Sequence, residues 1–162
     1  MNINNLIKNL SSTNWEEALY ASDELSKYNS EKVFLQLIAV LNTAKNEDTI
    51  NATSLALREI KNNKATDFLI KSLDNPINIK NKSTILYALE THDCSEYFLK
   101  IFTIFIVEKS DDVRLSAYDI LMNQKFVLTP SEILKAEELL TTCILSCEDM
   151  EITRNILNQY KF

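Results

Sequence analysis

Apolar residues recur along this chain at i, i+3 and i+4, the spacing of helices buried along one stripe. The pattern is clearest between Asn46 and Asn75. Ile50, Ser54, Leu57 and Ile60 share one face there, with the small residues Ala52 and Ala56 beside it. After the polar run Lys61-Asn62-Asn63-Lys64, a second stripe holds Ala65, Phe68, Leu69, Ser72 and Leu73. The stretch predicts two helices joined as a hairpin. A hairpin of about 30 residues cannot cover its own apolar stripes and needs copies stacked on either side.

The same pattern predicts helices elsewhere. A short amphipathic one covers 3–10, with Ile3, Leu6, Ile7 and Leu10. Asn14 starts a helix to Tyr28 that carries Glu16 and Glu17 in its first turn and buries Ala18, Ala21 and Leu25. Ser30 opens the next, through Val33, Phe34, Leu37, Ile38 and Leu41 to Ala44. Pro76 to Thr91 reads as one helix with Ile79, Ser83, Leu86 and Tyr87 inward. Ser95 to Lys109 is the most apolar stretch and is expected to be buried nearly all round. Asp111 and Asp112 open a helix to Gln124. Thr129-Pro130-Ser131 opens another, containing Ile133, Leu134, Leu139, Leu140 and Ile144. Met150 to Tyr160 closes the chain. The expected fold class is all-α, about nine helices in one domain over residues 1–162.

Composition sharpens this picture. The chain has no glycine, against an ordinary usage of about 7%. Tight β-turns and glycine-rich phosphate loops are therefore disfavoured, and asparagine is expected to end helices in glycine's place. The two prolines, Pro76 and Pro130, both fall between helical stretches. The net charge is −6 and the pI about 4.9. A nucleic-acid binder is expected to show a basic face, so direct nucleic-acid contact is disfavoured and a basic protein partner favoured. The N-terminus lacks the basic start and apolar run of a signal peptide. No apolar run is long enough for a membrane span. Three cysteines without a secretion signal imply reduced thiols and a cytoplasmic location.

No motif carries catalytic or metal chemistry. His92, Cys94, Cys143 and Cys147 are the nearest to a ligand set, but no C-x₂-C pair exists and the halves lie about fifty residues apart. His92 and Cys94 are two residues apart and lack a supporting acid. Glu16-Glu17, Asp111-Asp112 and Glu137-Glu138 sit in first helical turns or on a solvated face. The expectation is a non-enzyme with no catalytic residues, no metal and no cofactor.

The helices also overlay as repeats. Ala21, Ala56 and Ala88 each precede by four residues the end of a first helix, at Leu25, Ile60 and His92. Val33-Phe34, Phe68-Leu69 and Tyr97-Phe98 open the second helices, at spacings of about 29 to 35 residues. Over residues 14–125 this resembles the HEAT/armadillo-like family. The resemblance implies an α-solenoid of stacked antiparallel helix hairpins whose second helices line a concave surface. That surface would place Lys32, Asp67 and Glu96 side by side and Gln36, Lys71 and Lys100 in the next row, with Asp74 following. Loop acids, Asp111 and Asp112 among them, would mark one edge. HEAT-like alkylpurine glycosylases share the architecture but use a basic groove with aromatics, and this stripe is mixed in charge. The small, acidic chain looks most like the HEAT-like immunity proteins of bacterial contact-dependent growth inhibition. That likeness implies a cytoplasmic protein that binds a basic toxin domain, commonly a nuclease, and occludes its active site. The alternative is a HEAT-like adaptor or regulatory subunit of another complex.

Overall fold

The computed structural model describes residues 2–62, 64–143 and 147–160, without the side chains of Cys147 and Glu148. Side-chain caps set where several helices begin. Asn2 Oδ1 accepts the Asn4 amide at 3.0 Å, Asn14 Oδ1 that of Glu16 at 3.0 Å, and Asn46 Oδ1 that of Asp48 at 2.8 Å. Each satisfies an amide that the first helical turn leaves without a backbone partner. These caps open α1 (Ile3–Asn9), α2 (Trp15–Ser26) and α4 (Glu47–Glu59). Ser30 caps α3 (Glu31–Thr43) through the Val33 amide. Further along are α5 (Ala65–Ser72), α6 (Lys82–Leu89), α7 (Phe98–Val107) and α8 (Asp111–Asn123). Thr129 and Glu132 cap one another's backbone amides at the start of α9 (Pro130–Thr142), and α10 is Cys147–Asn158. Among the described residues there is no strand. The all-helical expectation holds.

The chain divides into two compact units, Met1–Asp93 and Cys94–Phe162. In the first, α4 packs against α2, α3 and α6, while α5 packs against α3 and α6. α1 lies against α2 and α3. Ala21, Ala56 and Ala88, one on each of α2, α4 and α6, are fully buried. A side chain of one methyl lets neighbouring helices approach closely at these points.

Polar ties in this unit link residues one repeat apart. Asn62 Nδ2 donates to Glu31 Oε2 at 2.9 Å, and Arg58 to Glu90 Oε2 at 3.0 Å. Asn81 Nδ2 donates to the Glu47 carbonyl at 3.0 Å and to Asn51 Oδ1 at 2.8 Å. His92 Nε2 donates to the Leu57 carbonyl at 2.9 Å. These partners are 30 to 35 residues apart in sequence. α4 and α6 are thereby joined near both ends.

The second unit is built on α7. α7 packs against α8 and α9, and α9 against α10. Phe98 stacks on Phe102 at 5.2 Å and meets Phe126 and Tyr160 edge-on at 5.3 and 5.4 Å. Such offset and edge-on pairs add to the burial of the rings. Ile101, Phe102, Ile104, Phe105 and Ile106 are buried, so the expected burial of this helix holds apart from the exposed Val107.

Three expectations are corrected. Pro76 to Thr91 is not one helix. Pro76–Asn78 forms a 3₁₀ turn, and α6 begins only at Lys82. Asn78 Nδ2 turns back to the Ser72 carbonyl at 2.8 Å and Asn81 reaches across to α4, which breaks the helical run. Ile79 and Tyr87 consequently face outward, 64% and 44% exposed. On α9, Ala136 is buried and Leu134 is 60% exposed. Asparagine does not replace glycine at helix ends. No described residue has positive φ, and α3, α4 and α8 end through the extended residues Ala44, Ile60 and Gln124. Asparagine instead starts helices. Asn63, Ile144 and the Cys147 thiol lie outside the described residues.

Candidate functional site

The mixed-charge row expected on the second helices divides between the two units. Lys32 and Gln36 lie on α3, Asp67 and Lys71 on α5, and Asp74 just beyond it. α3 and α5 pack together, so these five belong to adjacent elements of the first unit. Lys32, Asp67, Lys71 and Asp74 are exposed. Gln36 is half-buried, and its Oε1 is enclosed without a hydrogen-bond partner. The apolar side of the same helices accounts for their placement. Val33, Phe34 and Leu37 on α3, and Ala65 and Leu69 on α5, turn inward and force the charged positions out.

Glu96, Lys100, Asp111 and Asp112 belong to the second unit. Glu96 lies in the turn before α7, because that helix starts at Phe98 and not at Ser95. Lys100 is half-buried on α7. Asp111 and Asp112 are exposed in the first turn of α8, where the helix dipole favours acids.

An open hollow of about 480 Å³ in the first unit is lined by Asn9, Asn14, Tyr20 and the two acids Glu16 and Glu17. Glu17 accepts the Ser12 hydroxyl at 2.7 Å. In the second unit a groove of about 410 Å³ runs between α7 and α9, lined by Leu99, Thr103, Lys135, Glu138, Leu139 and Thr142. Neither brings a nucleophile to a base.

His92 and Cys94 are both buried. Burial lowers the His92 pKa, with the nearby Arg58 guanidinium acting in the same direction and the Leu57 carbonyl against them. The Cys94 amide donates to Gln124 Oε1 at 2.9 Å, which ties the start of the second unit to the end of α8. Among the described residues, no three His, Cys, Asp or Glu side chains lie close enough to hold a metal ion. No helix among them is long and apolar enough to cross a membrane.

Sequence reasoning overlooked several exposed apolar side chains. Leu35 stands beside Lys32 and Gln36 on α3, and Leu115 and Met122 stand on α8. Their signal was present: each falls off the inward stripe of its own helix, Leu115 between Val113 and Ala117 for example. No protein-family model matches this chain, and no curated protein matches it.

Proposed function

We propose that this chain is a non-catalytic, HEAT-like binding protein acting in the cytoplasm. In this reading it is an immunity protein that neutralises a basic toxin domain, a nuclease, by covering its active site. The observation that carries the binding role is the exposed charged face of α3 and α5, with Lys32, Asp67, Lys71 and Asp74 outward above a closed apolar core. The α-solenoid reading is supported by the hydrogen bonds that tie residues 30 to 35 positions apart. Acidic residues outnumber basic ones in both units, which favours a basic partner and opposes binding to phosphates. Occlusion would work by electrostatic mimicry: carboxylates take the place of substrate phosphates in the toxin's cleft. A tight complex of this kind buries on the order of 1,600 Å².

Co-expression with the product of the adjacent reading frame tests the proposal. Rescue of growth and copurification of a basic protein are the expected results. Failure of both removes the immunity reading.

A further inference from the structure

α8 has two faces. At 3.6 residues per turn, Val113, Ala117, Ile120 and Leu121 share one stripe, and all four are buried. Asp111, Leu115, Asp119 and Met122 fall on the opposite side. Leu115 is 60% exposed and Met122 40% exposed. Asp111 and Asp112 are exposed and Asp119 is half-buried. Among the described residues, none of these three carboxylates has a hydrogen-bond or ion-pair partner. Arg114 is the helix's one basic residue, and it is engaged elsewhere: Nε donates to the Phe105 carbonyl at 3.2 Å and a terminal nitrogen pairs with Asp149. The outer face of α8 therefore has an apolar centre and an anionic rim with no cation of its own.

We infer that this face docks a basic protein segment, one that presents an aliphatic or aromatic side chain between lysines or arginines. The apolar centre supplies contact area, and the rim supplies charge complementarity that selects the partner. A second copy of the chain fits poorly. Two such faces brought together would set Asp111 and Asp119 against the same acids across a shared apolar centre. A lipid surface fits poorly for the same reason, since anionic headgroups repel the rim. The inference deepens the proposed function by adding α8 as a second contact for the basic partner, besides the charged row, and it rests on that reading only for the partner's identity.

The test uses a synthetic amphipathic helical peptide of leucine, alanine and lysine, with a counterpart carrying glutamate for lysine. Backbone amide shifts of the full chain are followed during titration. Binding of the lysine peptide alone is expected, with shifts centred on Leu115, Asp119 and Met122. The variant Leu115→Lys/Met122→Lys should weaken binding about tenfold or more. Both side chains are exposed and only the weak contact of Gln159 Nε2 with the Met122 sulfur, at 3.8 Å, is lost, so its circular dichroism should match the wild type and its melting temperature stay close to it. The inference is overturned by no binding at about 1 mM peptide, by shifts centred on Asp67 and Lys71, or by equal binding of the double variant. A concentration-dependent dimer abolished by the double substitution overturns it too, and identifies a second copy as the occupant. A basic toxin domain bound equally by both forms removes the α8 assignment and leaves the immunity reading standing. Peptide bound on α8, with no toxin bound, does the reverse.

Discussion

The Arg58 guanidinium lies over the Tyr87 ring, 3.7 Å from its centroid, and joins the C-terminal parts of α4 and α6. The same side chain donates to the Tyr87 carbonyl and to Glu90. Thr91 Oγ1 returns a hydrogen bond to the Arg58 carbonyl. The ring contact is separable from the others, because Tyr87→Ala keeps the carbonyl. A double-mutant cycle of Arg58→Ala and Tyr87→Ala should give a coupling of about 0.5–1 kcal/mol. Tyr87→Phe should retain most of it. Chemical denaturation measures all the terms, and zero coupling would reduce the stacking to proximity.

His92 is the chain's one histidine, and it is buried. Its folded pKa lies below the ordinary value, chiefly through desolvation. The unfolded chain therefore takes up a proton near its ordinary pKa of about 6.5 while the folded chain resists. Stability from this group is full above that pH and is lost as pH falls through it toward the folded pKa. The urea midpoint should drop between about pH 7.5 and 5.5, and His92→Gln should flatten that part of the profile. An unchanged slope in the variant would assign the pH dependence to other groups.

Ala56 is fully buried on α4, the helix that packs against α2 and α6. Ala56→Leu should cost about 1–3 kcal/mol through overpacking. Ala39→Leu makes the same change at an exposed position of α3, where there is room for the larger side chain, and should cost less than about 0.5 kcal/mol. Thermal melts of the two variants decide the order, and equal losses would mean that α4 tolerates a wider spacing from its neighbours.

Asn81 is 1% exposed and donates to two oxygens of α4. Asn81→Asp replaces the donor with a carboxylate facing those oxygens. A loss of about 3 kcal/mol is expected. Asn78→Asp, which breaks the tie to the Ser72 carbonyl, should also destabilise. A neutral result at Asn81 would mean that the α4–α6 tie adds nothing to the packing.

The helices were readable because their inward stripes are regular: Ala21, Ala56 and Ala88 appear at repeat spacing and are all buried. Helix entry points were readable too, since Asn14, Asn46 and Thr129 cap through their own side chains. The stretch from Pro76 to Thr91 was not. Its apolar period continues through a 3₁₀ turn, and what breaks the helix is two long-range or backward hydrogen bonds, from Asn78 and Asn81. Local spacing carries no trace of a partner 34 residues away. The charged row was readable as a list of outward positions. Its division between two units was not, because helical period fixes a face and says nothing of which helices share a core.

Charge reversal probes that row. Asp67→Lys and Glu96→Lys change exposed side chains, so the fold should survive both. Each should weaken binding of a basic partner by about tenfold, mostly through slower association at low salt. Equal binding by both variants would move the contact off the row.

Nuclease inhibition by the purified protein tests the immunity reading most directly. RNA and DNA cleavage by the product of the adjacent reading frame would be measured with increasing amounts of the protein. One equivalent is expected to abolish cleavage, and excess substrate is expected to compete with the inhibition. Full cleavage in the presence of excess protein, with the two proteins eluting separately on gel filtration, would contradict it.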